Sequence, residues 1–350
     1  MKNILVTGGA GFIGSHTCLI LLQKGFNVFV IDSFSNSSPF ALEKVNKVLI
    51  NQKILKSNLQ VFRGDILDPC FLENVFKKII DTFESIDGVL HFAGLKSVKE
   101  SFDNPFLYWK VNFLGTYYLM EKIIRFKCKN LVFSSSAAIY SAKNNSYLKE
   151  TSEKNPSSPY GKTKLAIEQL LEDIFKSNKK NINISCLRYF NPIGAHESGF
   201  IGECPKGEPN NIFPLLVNAA IGKNKVLNIY GSDWPTKDGT AIRDYIHVMD
   251  VAEAHVKVLE YLLSNKEIYI AFNIGTGKGT TILELIKTFE NVNNVKVPYI
   301  YSERRIGDEA YVVADNSYSI SKLNLMPIRS IEDMCRDSWK WIQNNKNGYY

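Results

Sequence analysis

A chain of 350 residues is long for one compact domain and suits two domains, or one large α/β body with a smaller lobe. Its 45% hydrophobic and 22% charged residues are ordinary for a globular protein, and the net charge of +7 comes from scattered lysines without a basic stripe, so no nucleic-acid partner is expected. Six widely spaced cysteines lack any C-x-x-C pair, no apolar run approaches the ~18–20 residues that span a bilayer, and Met1-Lys2-Asn3 leads straight toward glycines, which together predict a cytoplasmic protein with no disulfides, no metal and no membrane partner.

In chain order, the first predicted strand, Ile4–Val6, runs into V-T-G-G-A-G-F-I-G-S-H. Gly8, Gly11 and Gly14 allow the tight turn and close backbone approach that place a pyrophosphate on the N-terminus of the next helix, Ile13–Lys24. The second strand, Val28–Ile31, ends at Asp32, close to the roughly 20-residue spacing of a carboxylate that binds an adenosine ribose. Asp32 would repel a 2′-phosphate, and residues 33–38 hold no Arg or Lys, so NAD is expected rather than NADP. Strands at Leu59–Arg63, Gly88–Phe92, Leu131–Ser134 and Ser185–Tyr189 then alternate with helices at Pro69–Phe83, Tyr108–Phe126 and Gly161–Ser177. This rhythm predicts an α/β fold with a Rossmann-type, doubly wound parallel sheet. Gly and Pro become frequent beyond residue 191. The predicted division is an NAD-binding domain over 1–190, to which 240–265 returns, and a smaller C-terminal α/β substrate lobe over 191–239 and 266–350.

Tyr160 and Lys164 stand one helical turn apart in S-S-P-Y-G-K-T-K, where a cation near a phenol would lower its pKa and prepare a proton carrier. Tyr118/Lys122 and Tyr318/Lys322 share that spacing, so context decides. Only the first pair follows a strand that ends in serines, Ser134-Ser135-Ser136, and open α/β sheets bind ligands at the carboxyl ends of their strands.

Gly8/Gly11/Gly14, Ser136 and Tyr160/Lys164 together resemble the extended short-chain dehydrogenase/reductase family. F-A-G-L-K (92–96), S-S-S-A (134–137), L-R-Y-F-N-P-I-G-A-H (187–196), P-N-N (209–211), R-D-Y-I-H-V-M-D (243–250) and R-R-I-G-D (304–308) resemble, in order and over nearly all of the chain, that family's UDP-hexose 4-epimerases. The resemblance implies reversible epimerisation at C4 through a 4-keto sugar, with UDP-galactose and UDP-glucose as substrates and NAD held tightly. It implies that Tyr160 exchanges the 4-hydroxyl proton, that Lys164 holds its pKa low and bonds the nicotinamide ribose, and that Ser136 bonds the 4-oxygen. Carried over by position, Phe12 and Ile13 sit at the pyrophosphate turn. Asp32, Ser33, Asn36 and Ser37 line the adenosine ribose, and Asp65 and Ile66 lie at the adenine. Phe92, Ala93, Gly94 and Lys96 line the pyrophosphate and inner ribose, with Phe190 beside the nicotinamide. The UDP-sugar falls to Lys96, Ser136, Tyr160, Asn191, Asn211, Arg243, Arg305, Asp308 and Val312. A homodimer is implied, through 108–126 and 161–177. Two positions depart from the family pattern: Ser141 stands where Gly usually follows Tyr140, and Val312 stands where a Tyr would fill the sugar pocket. A small residue there implies room for the UDP-N-acetylhexosamines.

Rival readings share the fold. A 4,6-dehydratase would carry an Asp-Glu pair after the serine, and here Ala137-Ala138 stand in its place. A UDP-glucuronate 4-epimerase or decarboxylase, and a non-catalytic NAD-sensing regulator, are the alternatives.

Overall fold

The structure is a computed structural model that describes residues 1–141, 146–177, 182–207, 209, 211–223, 225–305 and 307–349. Six strands, β1 (Asn3–Thr7), β2 (Asn27–Asp32), β3 (Asn58–Arg63), β4 (Gly88–His91), β5 (Asn130–Ser136) and β6 (Asn183–Tyr189), join Tyr269–Ile274 in one sheet. From one edge the order is 269–274, β6, β5, β4, β1, β2, β3, with every pair parallel. The strands read as continuous apolar runs because both faces are covered. Successive side chains point to opposite faces. Ile4, Val6, Val28 and Val30 therefore pack with α1 (Phe12–Gln23) and Val248–Leu263, while Leu5, Phe29 and Ile31 pack with the helix Pro69–Phe83 and the later helices.

The returning segment extends past the expected boundary at 265, since Tyr269–Ile274 pairs with β6 at the edge of the main sheet. Periodicity could not foresee this, because a six-residue apolar strand fits either lobe. The smaller lobe has its own core, in which Phe213, Leu216, Ile286, Phe289 and Met334 are buried.

The helix expected over 108–126 is present but not uniform. A one-turn α-helix, Pro105–Tyr108, runs without a break into a π-helical turn, Trp109–Leu114, and then into Gly115–Arg125. The buried Asn112 lies in the widened turn. Its Oδ1 accepts from Leu95 N at 2.7 Å, and its Nδ2 donates to Leu95 O at 3.1 Å and Thr163 Oγ1 at 3.2 Å. Such widened turns frequently mark functional sites.

Candidate active site

The carboxyl ends of β4, β1 and β2 form the dinucleotide cleft. Gly8 takes φ +71°, and a Cβ on it would lie 2.6 Å from Ala93 N, so the loops after β1 and β4 can meet only at a glycine. A Cβ on Gly14 would fall 2.3 Å from Gly8 O, which explains how closely α1 approaches β1, while Gly11 precedes its first turn. Among the described residues no side chain caps α1 and no acid lies in its first turn, so the N–H groups near Phe12 and Ile13 suit a pyrophosphate. Asp32 Oδ2 accepts from Ala10 N at 2.9 Å, and Oδ1 accepts from Phe34 N at 2.9 Å and Ser37 Oγ at 2.8 Å. These bonds fix the carboxylate at the end of β2. A cradle that excludes side chains, a helix N-terminus and a fixed acid fit NAD.

Several carried-over positions have partners within the protein. The Ser37 hydroxyl is buried and turned to Asp32, so it braces the acid. Ser33 Oγ donates to Ser35 Oγ at 3.0 Å, and Asn36 Oδ1 accepts from Lys206 N at 2.9 Å. Ile66 is buried, with its side chain against Gly115, which leaves only its backbone for an adenine; Asp65 Oδ1 accepts from Leu67 N at 2.9 Å in the same turn. Phe92 meets His255 at a tilt, with ring centroids 4.6 Å apart, and Phe190 is buried.

The catalytic helix, Pro159–Ser177, starts with Pro at its first position, and Ser158 Oγ accepts from Gly161 N at 3.1 Å. A Cβ on Gly161 would lie 2.4 Å from Ala138 O, so this glycine lets the helix start press against the turn after β5. Tyr160 is thereby brought near Ser136, whose hydroxyl acts on the phenol. Lys164 is buried and donates to Ser134 O at 2.7 Å. Its Nζ lies 5.9 Å from the Tyr160 ring centroid and 4.0 Å from where a Gly94 Cβ would be, between the phenol and the cofactor loop.

The expected lowering of the Tyr160 pKa is not produced by the protein alone. Burial is the largest influence and raises it, and the Ser136 hydrogen bond lowers it only in part. Burial also brings Lys164 down to about 8, opposed by the Glu168 carboxylate. The two decoy pairs are separated from this site by what they touch. Tyr118 packs edge-on to Tyr117 while Lys122 pairs with Glu73, and Tyr318 stacks on Phe272.

On the substrate side, Arg243, Arg305 and Asp308 come together. Arg243 Nη2 lies 3.9 Å and Arg305 Nε 3.1 Å from the Asp308 carboxylate, and Arg305 covers the Tyr230 ring at 4.3 Å. Two guanidiniums facing one carboxylate leave positive charge for a diphosphate. Asn191 N donates to Asp244 O at 3.0 Å, which holds it beside the Arg243 strand, whereas Asn211 is exposed just before Ile212–Ala220. Asn210 and Ile306, within two of the matched strings, lie outside the described residues. Val312 pairs with Arg243 in a short strand and packs with Ala137, Tyr140 and Phe190. Its neighbour Tyr311 meets Tyr147 instead, with ring centroids 5.9 Å apart. Strand alternation thus puts Val312, not Tyr311, on the Phe190 side. Ser141 donates its N–H to Glu153 O at 2.9 Å, and it is not among the residues with positive φ, so its backbone does not need glycine. Lys96 Nζ donates to Glu203 Oε1 at 2.7 Å.

Sequence reasoning missed Asn112 and the buried carboxylate of Glu168. Glu168 accepts from Ser135 Oγ at 2.5 Å and from both Arg188 Nε at 2.9 Å and Arg188 Nη2 at 2.6 Å. Glu168 continues the Tyr160/Lys164 face by one more turn, a signal that was available.

The family profile described as GDP-mannose 4,6 dehydratase matches residues 5–338. The UDP-glucose 4-epimerase of Bacillus subtilis is 44% identical over 99% of this chain and 98% of its own. Two crystal structures superpose with TM-scores of 0.92 at 40% identity and over 99% of this chain. One is the UDP-glucose 4-epimerase of Bifidobacterium longum with NAD+ and UDP, matched over 100% of its length. The other, matched over 99%, is that of Stenotrophomonas maltophila with NAD and formylated UDP-arabinopyranose. A cleft built for NAD, a Ser-Tyr-Lys cluster beside it and these full-length likenesses agree: the chain belongs to the UDP-glucose 4-epimerase family of NAD-dependent enzymes.

Proposed function

We propose that Ser136, Tyr160 and Lys164 carry the reaction of this NAD-dependent UDP-hexose 4-epimerase. The observation behind the assignment is the buried Lys164 ammonium, which donates to Ser134 O at 2.7 Å and lies 5.9 Å from the Tyr160 ring centroid and beside Gly94, at the end of the strand that carries Ser136. NAD, when bound, supplies the exchange of hydride at C4 and a positive charge near the phenol. Tyr160 Oη, as phenolate, removes the 4-hydroxyl proton as C4 gives up its hydride, which together leave a 4-keto sugar, and it returns that proton as the hydride is restored to the sugar's other face. Ser136 orients the 4-oxygen, and Lys164 keeps an ammonium close to the phenol. Arg243 and Arg305 hold the diphosphate, and Asp308 accepts from a ribose hydroxyl once its arginine partners turn to phosphate. Incubating the protein with UDP-galactose, UDP-glucose, UDP-N-acetylglucosamine and UDP-glucuronate and identifying the products tests the reading. Conversion of UDP-glucuronate alone, or of none, would overturn it.

Val312 is smaller than the Tyr that the family resemblance leads one to expect in this pocket, which supports turnover of the UDP-N-acetylhexosamines as well. The domain division supported here is 1–190 with 240–274, against 191–239 with 275–350. Among the described residues no helix is long and apolar enough to cross a membrane. A homodimer is supported by the apolar face of 102–124, where Phe106 is 87%, Phe102 49% and Trp109 40% exposed. Light scattering should give twice the chain mass for the native protein and one chain mass for Trp109→Glu.

A further inference from the structure

A short segment of the smaller lobe is tied to loops on both sides of the proposed dinucleotide cleft. At one end Glu203 accepts from Lys96 Nζ at 2.7 Å, on the loop after β4. At the other, Lys206 donates its backbone N–H to Asn36 Oδ1 at 2.9 Å and its Nζ to Phe34 O at 2.6 Å, on the loop after β2. Strands β4 and β2 flank β1 in the sheet. Neighbouring strands are ~4.8 Å apart, so those loops are separated by roughly 10 Å. Three residues of extended chain span about the same distance. The stretch 203–206 has enough length to bridge the two loops, which flank the glycine loop at the end of β1.

Both sides of this segment are held. Behind it, Gly202 N donates to Tyr349 Oη at 3.0 Å, and Trp341 Nε1 donates to Glu203 O at 3.3 Å. In front, Phe34 takes φ +56°, uncommon for a bulky residue, and in that conformation its carbonyl meets the Lys206 ammonium. Asp32 holds the same residue by its N–H.

We propose that Glu203 and Lys206 are positioning residues that fasten 203–206 as a strap over the bound dinucleotide and set how slowly it leaves. This rests on the dinucleotide site proposed above. Departure of the cofactor requires the strap to lift, which breaks the Lys96–Glu203 pair and the Lys206 bonds to the β2 loop.

The test is exchange of the bound dinucleotide in purified holoenzyme against excess radiolabelled NAD. Glu203→Gln and Lys206→Met should each speed exchange about three- to tenfold, the loss of one or two polar contacts, and the double variant more. Lys257→Met, which removes an exposed lysine bond to Asn324 O away from the cleft, should leave exchange unchanged. High salt should speed exchange in the native enzyme, where the exposed Lys96–Glu203 pair is screened, and have less effect in the double variant. A double variant within twofold of native would overturn the proposal. Slower exchange in Glu203→Gln would overturn it too, because Glu203 would then be competing with the pyrophosphate for Lys96. Native protein that carries no dinucleotide at all would instead sink the underlying site.

Discussion

At Tyr160, burial and the Ser136 hydrogen bond act on one proton in opposite directions, and burial wins in the protein alone. On the proposed mechanism this hydroxyl carries the proton. Tyr160→Phe should lower kcat by roughly 10²–10⁴-fold with UDP-sugar affinity nearly intact. Tyr118→Phe and Tyr318→Phe should be close to neutral, and loss of turnover in either would mean that the wrong phenol was chosen. Lys164 shows the cost of holding a charge in this place. Its folded pKa of about 8 lies below the usual lysine value near 10.4, so burial disfavours the charged form. Between those two pH values the unfolded chain binds more protons, hence stability rises with pH there, and below about pH 8 the penalty is complete. Nucleotide-free Lys164→Met should therefore be more stable than native at pH 7 by on the order of 2 kcal/mol after the lost Ser134 hydrogen bond is counted. The difference should shrink toward pH 10. Urea unfolding of both proteins across this range measures it, and a variant less stable at pH 7 would refute the account. The residue types of the site were legible because each is chemically distinctive; the direction of the Tyr160 shift was not, since it depends on how deeply the phenol is enclosed.

Among the elements, the contact between the turn after β5 and the catalytic helix governs the site. Gly161→Ala would place a methyl 2.4 Å from Ala138 O and push the helix start away from Ser136. Displacement of about 1 Å can cost roughly 10²-fold in rate, so kcat should fall strongly while bound NAD is retained. Parallel loss of the cofactor would show that the glycine supports the fold more broadly. On the substrate side, Val312→Tyr should remove turnover of UDP-N-acetylgalactosamine selectively and spare UDP-galactose. Native enzyme inactive on the acetylated sugar would refute the pocket argument. Strands β1 to β6 could be recognised as apolar runs bounded by turns, and Pro69–Phe83 was anticipated at both ends. The π-turn at Trp109–Leu114 could not be, because it follows from what Asn112 meets on a loop distant in sequence.

For the whole molecule, the first domain is not a contiguous piece of chain. Ile4, Val6, Val28 and Val30 share a buried cluster with Val251, Leu259 and Phe272, all beyond residue 240. A fragment 1–190 would lack the helix Val248–Leu263 and the edge strand, exposing that face to water. It should aggregate, or keep far-UV dichroism while losing near-UV signal. A soluble fragment with native near-UV dichroism would contradict this dependence. By itself the sequence determined the doubly wound parallel sheet, the glycine loop with its acid, and the serine, tyrosine and lysine at a strand end and helix start. Each of these is written in local pattern, because strand periodicity, turn chemistry and residue type act over short stretches. Only the tertiary structure decided that residues 269–274 complete the sheet, that Val312 and not Tyr311 faces Phe190, and that Glu203 and Lys206 reach across to Lys96, Phe34 and Asn36. These are contacts between segments far apart in the chain, fixed by packing and pairing register, and no local pattern encodes them.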